Sequence, residues 1–301
     1  MPVYLDHNAT TQLDPRVLEA MLPYLSGPYG NPSSLHRYGR ASRDAVERAR
    51  GQVAALISVQ PQQLIWTSGG TEANNLALKG VSDLLPGARV LYGATEHPAV
   101  MEAAESLRAR GCHVEPIAVD HEGVLDWPAF DAQLARAPVQ LVALMRANNE
   151  TGVIQDLPRA AARVHAAGGR LHVDAVQAAG KLPTDFDALG ADLMSLSSHK
   201  LYGPKGIGAL AVGSEIELAT QQHGGAQERG LRGGTENLAA IVGFGVAADL
   251  AVQELDARCA HVRGLRERLE AGLHAIAGVR IFGEHAERLD NTVQFALSGY
   301  D

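Results

Sequence analysis

The sequence predicts an α/β protein built on a mainly parallel central sheet flanked by helices, with a smaller and incomplete α/β unit made from the chain ends. Three observations lead there. Short runs that are apolar on both faces recur along the chain, as strands covered on two sides require. Helical patterns stand between most of these runs. A chain of 301 residues that is 46% hydrophobic can bury one large core and a second, smaller one.

Taken in order, residues 40–57 carry apolar positions at helical spacing. Residues 64–67 read as a buried strand, Ser68-Gly69-Gly70 as a tight turn, and the stretch from Thr71 to Lys79 as a helix start. Residues 90–92 form the next strand, and Pro98 opens a helix over 98–110. Strands follow at 113–118, 139–145, 171–174, 193–197 and 207–212, with a helix at 157–167. Thr235-Glu236-Asn237 opens a helical pattern running towards Cys259, and residues 262–276 read as a second one. A domain boundary is placed between them. Residues 13–259 are then a large domain, and residues 1–12 with 260–301 a small one whose C-terminal part is missing. The final stretch, 291–301, reads as a strand and the start of a turn, with an unpaired edge near Val293.

Composition excludes several functions. A net charge of −8 without a basic run argues against nucleic-acid binding. Two distant cysteines point to a reducing compartment, hence the cytoplasm, and no grouping reads as a metal site. The N-terminus carries no basic leader with an apolar run. The longest apolar stretch, 238–252, is interrupted by Asp249 and reads as too short to span a bilayer, so no membrane role is expected. Asn8-Ala9-Thr10 matches a glycosylation pattern, an accidental match without secretion.

The chemistry concentrates on Lys200, which closes Leu196-Ser197-Ser198-His199-Lys200 downstream of Val173-Asp174-Ala175-Val176-Gln177. A lysine amine can hold an aldehyde cofactor as a Schiff base, give way to an amine substrate, and then move protons. An aspartate beside a pyridine nitrogen keeps that nitrogen protonated, so the ring draws electrons from a substrate carbanion. Asp174 is the candidate, and the cofactor that fits is pyridoxal 5'-phosphate (PLP). Of the four lysines, Lys79 falls on an amphipathic helix, Lys181 follows a glycine in a loop, and Lys205 sits in a Gly/Pro turn. Only Lys200 ends a strand beside hydroxyl and imidazole groups. The turn before Thr71 offers glycine backbone, first-turn amides and a helix dipole to a phosphate, although an ordinary capped helix has the same pattern. His97, at the end of a strand and before Pro98, reads either as a ring stacked on the cofactor or as a helix cap.

These pieces, with Asn148-Asn149-Glu150-Thr151-Gly152, the glycine-rich run from His223 to Thr235, the opening Tyr4-Leu5-Asp6-His7-Asn8-Ala9-Thr10-Thr11 and Gly30-Asn31-Pro32-Ser33-Ser34-Leu35-His36, resemble the cysteine desulfurases. More broadly the chain is similar to class V aminotransferases of PLP fold type I. The resemblance implies that Lys200 carries the Schiff base, that Asp174 and Gln177 contact the ring nitrogen and phenolic oxygen, and that His97 stacks on the ring. It implies phosphate contacts from Gly70, Thr71, Ser197 and His199, with Thr235 reaching in from the second subunit of a homodimer, and it puts Ser198 among the cofactor-binding residues. Asn148 matches the family's asparagine near substrate and ring.

The family also uses a cysteine on a mobile loop and an arginine for the substrate carboxylate, both expected beyond Asp301. Cys112, at a helix-to-strand junction, and Cys259, within a helical pattern, match neither and read as packing residues. The resemblance implies L-cysteine as substrate, alanine and a persulfide as products, and an iron-sulfur scaffold or other acceptor as partner, with sulfur transfer in question. The alternatives are another class V aminotransferase or lyase, and a non-catalytic partner of a full-length homologue.

Overall fold

Residues 3–27 and 29–299 are described by a computed structural model. Helix α1 (Pro15–Ser26) starts at Asp14, whose carboxylate accepts the Arg16 N–H at 2.9 Å. Helix α2 (Arg37–Leu56) and a 3-10 turn at Pro61–Gln63 lead into strand β1 (Leu64–Thr67). Then follow α3 (Gly70–Ser82), β2 (Arg89–Gly93), α4 (Pro98–Ser106), β3 (His113–Ile117), α5 (Trp127–Arg136), β4 (Leu141–Met145), α6 (Leu157–Ala166) and β5 (Arg170–Asp174). The rest is β6 (Leu193–Ser197), a 3-10 turn at Ser198–Lys200, β7 (Gly208–Val212), α7 (Leu238–His274), β8 (Val279–Ile281) and β9 (Phe295–Leu297). The helix expected over 98–110 tightens into a 3-10 turn at Leu107–Arg110.

The 7-stranded sheet has the order β1-β7-β6-β5-β4-β2-β3. Strands β6, β5, β4, β2 and β3 run parallel, while β7 is antiparallel to both neighbours. The reversal follows from chain length. Residues 198–207 are too few for a crossover, which needs about a dozen residues or more, so β6 and β7 form a hairpin. Strands β1, β2, β4 and β6 are buried at every residue, whereas β3, at one edge, is partly exposed and tolerates Pro116. Alternation in β1 divides the core: Leu64 and Trp66 join Val53 and Phe244 on one side, while Ile65 joins Leu76, Val81 and Val100 on the other.

Helix starts agree with their capping residues. At α5 the Asp126 carboxylate accepts the Ala129 N–H at 3.1 Å. Asp126→Ala is expected to cost about 1 kcal/mol, read as a lowered urea midpoint with unchanged slope.

Three expectations are corrected. The two helical patterns expected on either side of residue 260 are one continuous helix of 37 residues. Its buried positions run from Ala239 to Ala251 and resume only at Leu273, so the middle lacks a core-facing stripe and imitates a break. By length and composition α7 is also long and apolar enough to cross a membrane, contrary to the estimate from residues 238–252, although 50% of its most apolar window is buried in this protein. Finally, the edge expected to be unpaired near Val293 does not form there. Strand β9 begins at Phe295 and pairs with β8 through Ile281↔Phe295 and Val279↔Leu297. The turn expected at Tyr300 and Asp301 lies outside the described residues.

Candidate active site

Ligand sites in open α/β sheets lie beyond the carboxyl ends of the strands. The candidates collect there. Asp174 ends β5, Ser197 ends β6, His97 follows β2 and Asn148 follows β4. Because β7 reverses direction twice over, β1 points the same way as β6, and its Ser68-Gly69-Gly70 turn reaches the same end of the sheet. Gly208 makes that approach feasible. A Cβ there would lie 2.7 Å from the Gly69 backbone and 2.6 Å from the Leu196 carbonyl.

Asp174 is buried, and both of its carboxylate oxygens are held. Oδ2 accepts the Asn74 amide at 2.7 Å and Oδ1 accepts the Val176 N–H at 2.9 Å. Burial raises its pKa, and those two hydrogen bonds together with the charges of His97 and Lys200 oppose the rise. Glu96 lies close by, and burial followed by the Asp174 charge pushes its pKa well above the usual carboxylate range. It accepts the Met145 N–H at 2.5 Å.

Lys200 Nζ donates to the Asn8 carbonyl and, at 2.8 Å, to the Ala9 carbonyl. Burial lowers its pKa, against the attraction of Asp174 and Asp6, which favours an amine able to shed its proton. Asn8 is a junction. Its carbonyl also accepts Gln177 Nε2 at 2.8 Å, its Oδ1 accepts Lys181 Nζ at 3.1 Å and Asn291 Nδ2 at 2.9 Å, and its Nδ2 donates to Thr292 Oγ1 at 2.8 Å. His199 Nδ1 meets Thr10 Oγ1 at 3.1 Å, and its pKa falls to about 4 through burial and the charges of Lys200 and Lys205.

His97 caps α4: its Nδ1 accepts the Ala99 N–H at 3.0 Å. In the neutral ring this leaves the proton on Nε2, so capping and a role in the site are compatible. The Asn148 side chain folds its own loop, Oδ1 accepting the N–H groups of Glu150 and Thr151 at 2.9 Å while Nδ2 donates to the Thr95 carbonyl at 3.0 Å.

At the start of α3 the N-cap Gly69 makes no side-chain cap, so the amides of Gly70 and Thr71 receive none from it. Glu72 holds the turn by accepting the Ser68 N–H at 2.7 Å and Arg232 Nε at 2.8 Å. Ser198 Oγ is buried without a partner among the described residues. Thr235 lines a cavity with Ser68, Gly206, Glu228 and Arg232, whereas Lys200 lines a different one.

Lys181, expected in a plain loop, instead donates to Gln177 Oε1 at 2.6 Å and lines a cavity with Lys200 and Cys259. The spacing Gln177-x-x-x-Lys181 was the signal available for it. Asn74 was also missed, although it sits three residues after Thr71 on the helix that starts at the turn. Cys259 donates to the Lys181 carbonyl at 3.2 Å, and Cys112 is buried; burial raises both thiol pKa values, which keeps them protonated. Among the described residues, no group of three or more His, Cys, Asp or Glu side chains is arranged to hold a metal ion.

The aminotransferase class-V family model matches residues 3–301, and the chain belongs to that PLP-dependent family. Within it, the relatives are cysteine desulfurases. The cysteine desulfurase IscS of Methylococcus capsulatus is 43% identical over 303 residues, a match covering 99% of this chain and 75% of that protein. Among solved structures, a NifS-like protein superposes with a TM-score of 0.95 at 37% identity, covering 99% of this chain and 83% of the other. A structure described as SspA in complex with cysteine matches with a TM-score of 0.78 at 33% identity, covering 82% of this chain and 72% of that one.

Proposed function

We propose that this chain binds PLP at the Lys200 cluster and acts on L-cysteine, releasing its sulfur to a thiol acceptor and leaving alanine. The observation that best supports this is the placement of the buried Asp174 carboxylate and the Lys200 amine just beyond the ends of the adjacent strands β5 and β6. The similarity to IscS and to the cysteine complex of SspA supports the choice of substrate.

The residues fit the cofactor. The amides of Gly70 and Thr71, the Thr71 hydroxyl, Ser197 and His199 suit a phosphate, while the Ser198 hydroxyl packs against Gly203. Asp174, oriented by Asn74, suits a protonated ring nitrogen, and Gln177 Nε2 suits a ring oxygen. His97 and Asn148 border the same strand ends. When bound, PLP supplies an electron sink for charge developing at the substrate α carbon.

Lys200 would hold the cofactor through Nζ and, once freed, could take the substrate's α proton, a task its lowered pKa suits. Asp174, held by the Asn74 amide and the Val176 N–H, would face the ring nitrogen. His97 presents Nε2–H, its Nδ1 being occupied by the Ala99 amide, and can protonate the departing or acceptor group. The reaction balances as L-cysteine plus a thiol giving alanine plus a persulfide: the C–S bond breaks, an S–S bond forms, and the β carbon gains a proton. An iron-sulfur scaffold protein or another sulfur acceptor would receive the persulfide sulfur.

Thr235 fits the reading as a contribution from the second subunit of a homodimer. The lining of separate cavities by Thr235 and Lys200 supports this, as do the exposed Leu22, Leu25, Tyr29, Leu35 and Tyr38. A cytoplasmic placement is supported by the two free cysteines.

Incubation with PLP, L-cysteine and dithiothreitol tests the function. Alanine and sulfide in equal amounts are expected. Pyruvate and ammonia would point instead to a lyase, a keto acid retaining the sulfur would point to an aminotransferase, and no cysteine consumption would reject the proposal.

A further inference from the structure

Lys181 has no acidic partner within salt-bridge reach among the described residues, although protein surrounds its amine closely. Burial, and then the charge of Lys200, pull its pKa down to about 7. Its Nζ is met by two neutral amide oxygens, Gln177 Oε1 at 2.6 Å and Asn8 Oδ1 at 3.1 Å. A desolvated amine facing only neutral acceptors contributes little to folding, and an apolar side chain of similar length would hold the same space at less cost. The geometry therefore calls for another use of the amine.

Gln177 provides it. A glutamine amide can present either its oxygen or its NH2 to a neighbour, and the surroundings decide which. In its charged form Lys181 carries only donors, so the atom that then faces it is Oε1, as the 2.6 Å contact has it. That turns the NH2 group the other way. One of its N–H bonds goes to the Asn8 carbonyl at 2.8 Å, and the other remains for a ligand. Gly180 allows the arrangement. Its φ of +75° takes the chain through the left-handed region, so that Lys181 returns onto the face of Gln177, and a Cβ there would press on Ala251 and Leu201 at 3.2 Å.

We propose that Lys181 is a positioning residue for the cofactor site: by occupying the Gln177 carbonyl oxygen it fixes the Gln177 amide with its NH2 towards the ligand. This rests on the reading of the Lys200 cluster as a PLP site. The residue acts through Gln177 and needs no contact with substrate.

A double-mutant cycle on PLP affinity, measured by equilibrium dialysis and by the visible absorbance of bound cofactor, tests it. Lys181→Met is expected to weaken PLP binding about tenfold in the parent chain and to have no further effect when Gln177 is already alanine. Lys181→Gln, which keeps a donor without the charge, is expected to stay within about threefold of the parent. Each variant is first checked for unchanged far-UV circular dichroism, and Lys181→Gln carries the test should Lys181→Met not fold. Equal losses in the parent and Gln177→Ala backgrounds would mean a general structural role and overturn the proposal. So would equal losses for Lys181→Met and Lys181→Gln, or unchanged binding in Lys181→Met. A parent chain that fails to bind PLP at all would remove the underlying function as well, an outcome separate from a parent that binds while its variants bind equally.

Discussion

Lys200→Ala should abolish the Lys200-linked visible absorbance of bound PLP and cut cysteine turnover by more than any other single substitution in the site. Loss of the proton-transfer role alone is worth roughly 10²–10⁴-fold, and loss of the covalent attachment adds to it. Fold stability should hardly change, because Nζ is held only by the Asn8 and Ala9 carbonyls of the N-terminal segment. The measurement is a visible spectrum with PLP before and after addition of L-cysteine, beside a thermal melt. A variant that retained the band and its response to cysteine would move the chemistry to another amine, and Lys181 would be examined next. Methylamine or ethylamine supplied in solution should restore part of the turnover if proton transfer is what was lost.

The largest effect on stability is expected away from the chemistry. Glu228→Gln should destabilise the protein by about 3–5 kcal/mol, the usual cost of stranding one partner of a buried ion pair. Glu228 Oε1 and Oε2 accept both terminal nitrogens of Arg50 at 2.8 Å, and the side chains of Arg50 and Glu228 are only 6% and 3% exposed. The same carboxylate accepts the Trp66 N–H at 2.8 Å, closing the free edge of β1. Glu228 and Arg229 sit at φ of +46° and +59°, strained values for such residues, so the loop persists because these contacts hold it. Burial works against the Arg50 charge, and Glu228 more than offsets it, leaving the Arg50 pKa raised. Glu47 provides the control: it also meets Arg50, but its side chain is 55% exposed, so Glu47→Gln should cost no more than about 1 kcal/mol. Chemical denaturation of both variants decides between them. Equal losses would show that solvent reaches Arg50 and that the pair is not buried in solution.

Much of the site was legible because its residues sit where strands stop. Asp174, Ser197 and His97 each follow an apolar run, and a parallel sheet sends such positions to a common end. Lys181 was hidden because a lysine after a glycine reads as a solvated loop, and only the fold shows Gln177 and Asn8 against its amine. Asn74 was hidden for a related reason: nothing in a helix sequence announces a partner on a strand far along the chain. The break expected in α7 came from a real physical change, the loss of buried positions after Ala251, which periodicity cannot distinguish from the end of a helix. The reversal of β7 could have been inferred from the short link at 198–207, whereas its position between β1 and β6 is a matter of topology and is not written locally.

That position has a consequence for assembly. Gly208 is registered with Thr67 on one side and with Ser197 on the other. The glycine turn and the lysine therefore share a single ruler, and a slip of β7 by one residue would offset the two by about 3.3 Å per position. On the ribosome, both motifs emerge before the strand that aligns them. A nascent chain that stops short of Gly208 holds every candidate contact except Thr235 but lacks the piece that brings them into alignment, so competence for the cofactor arrives late, with a strand only five residues long.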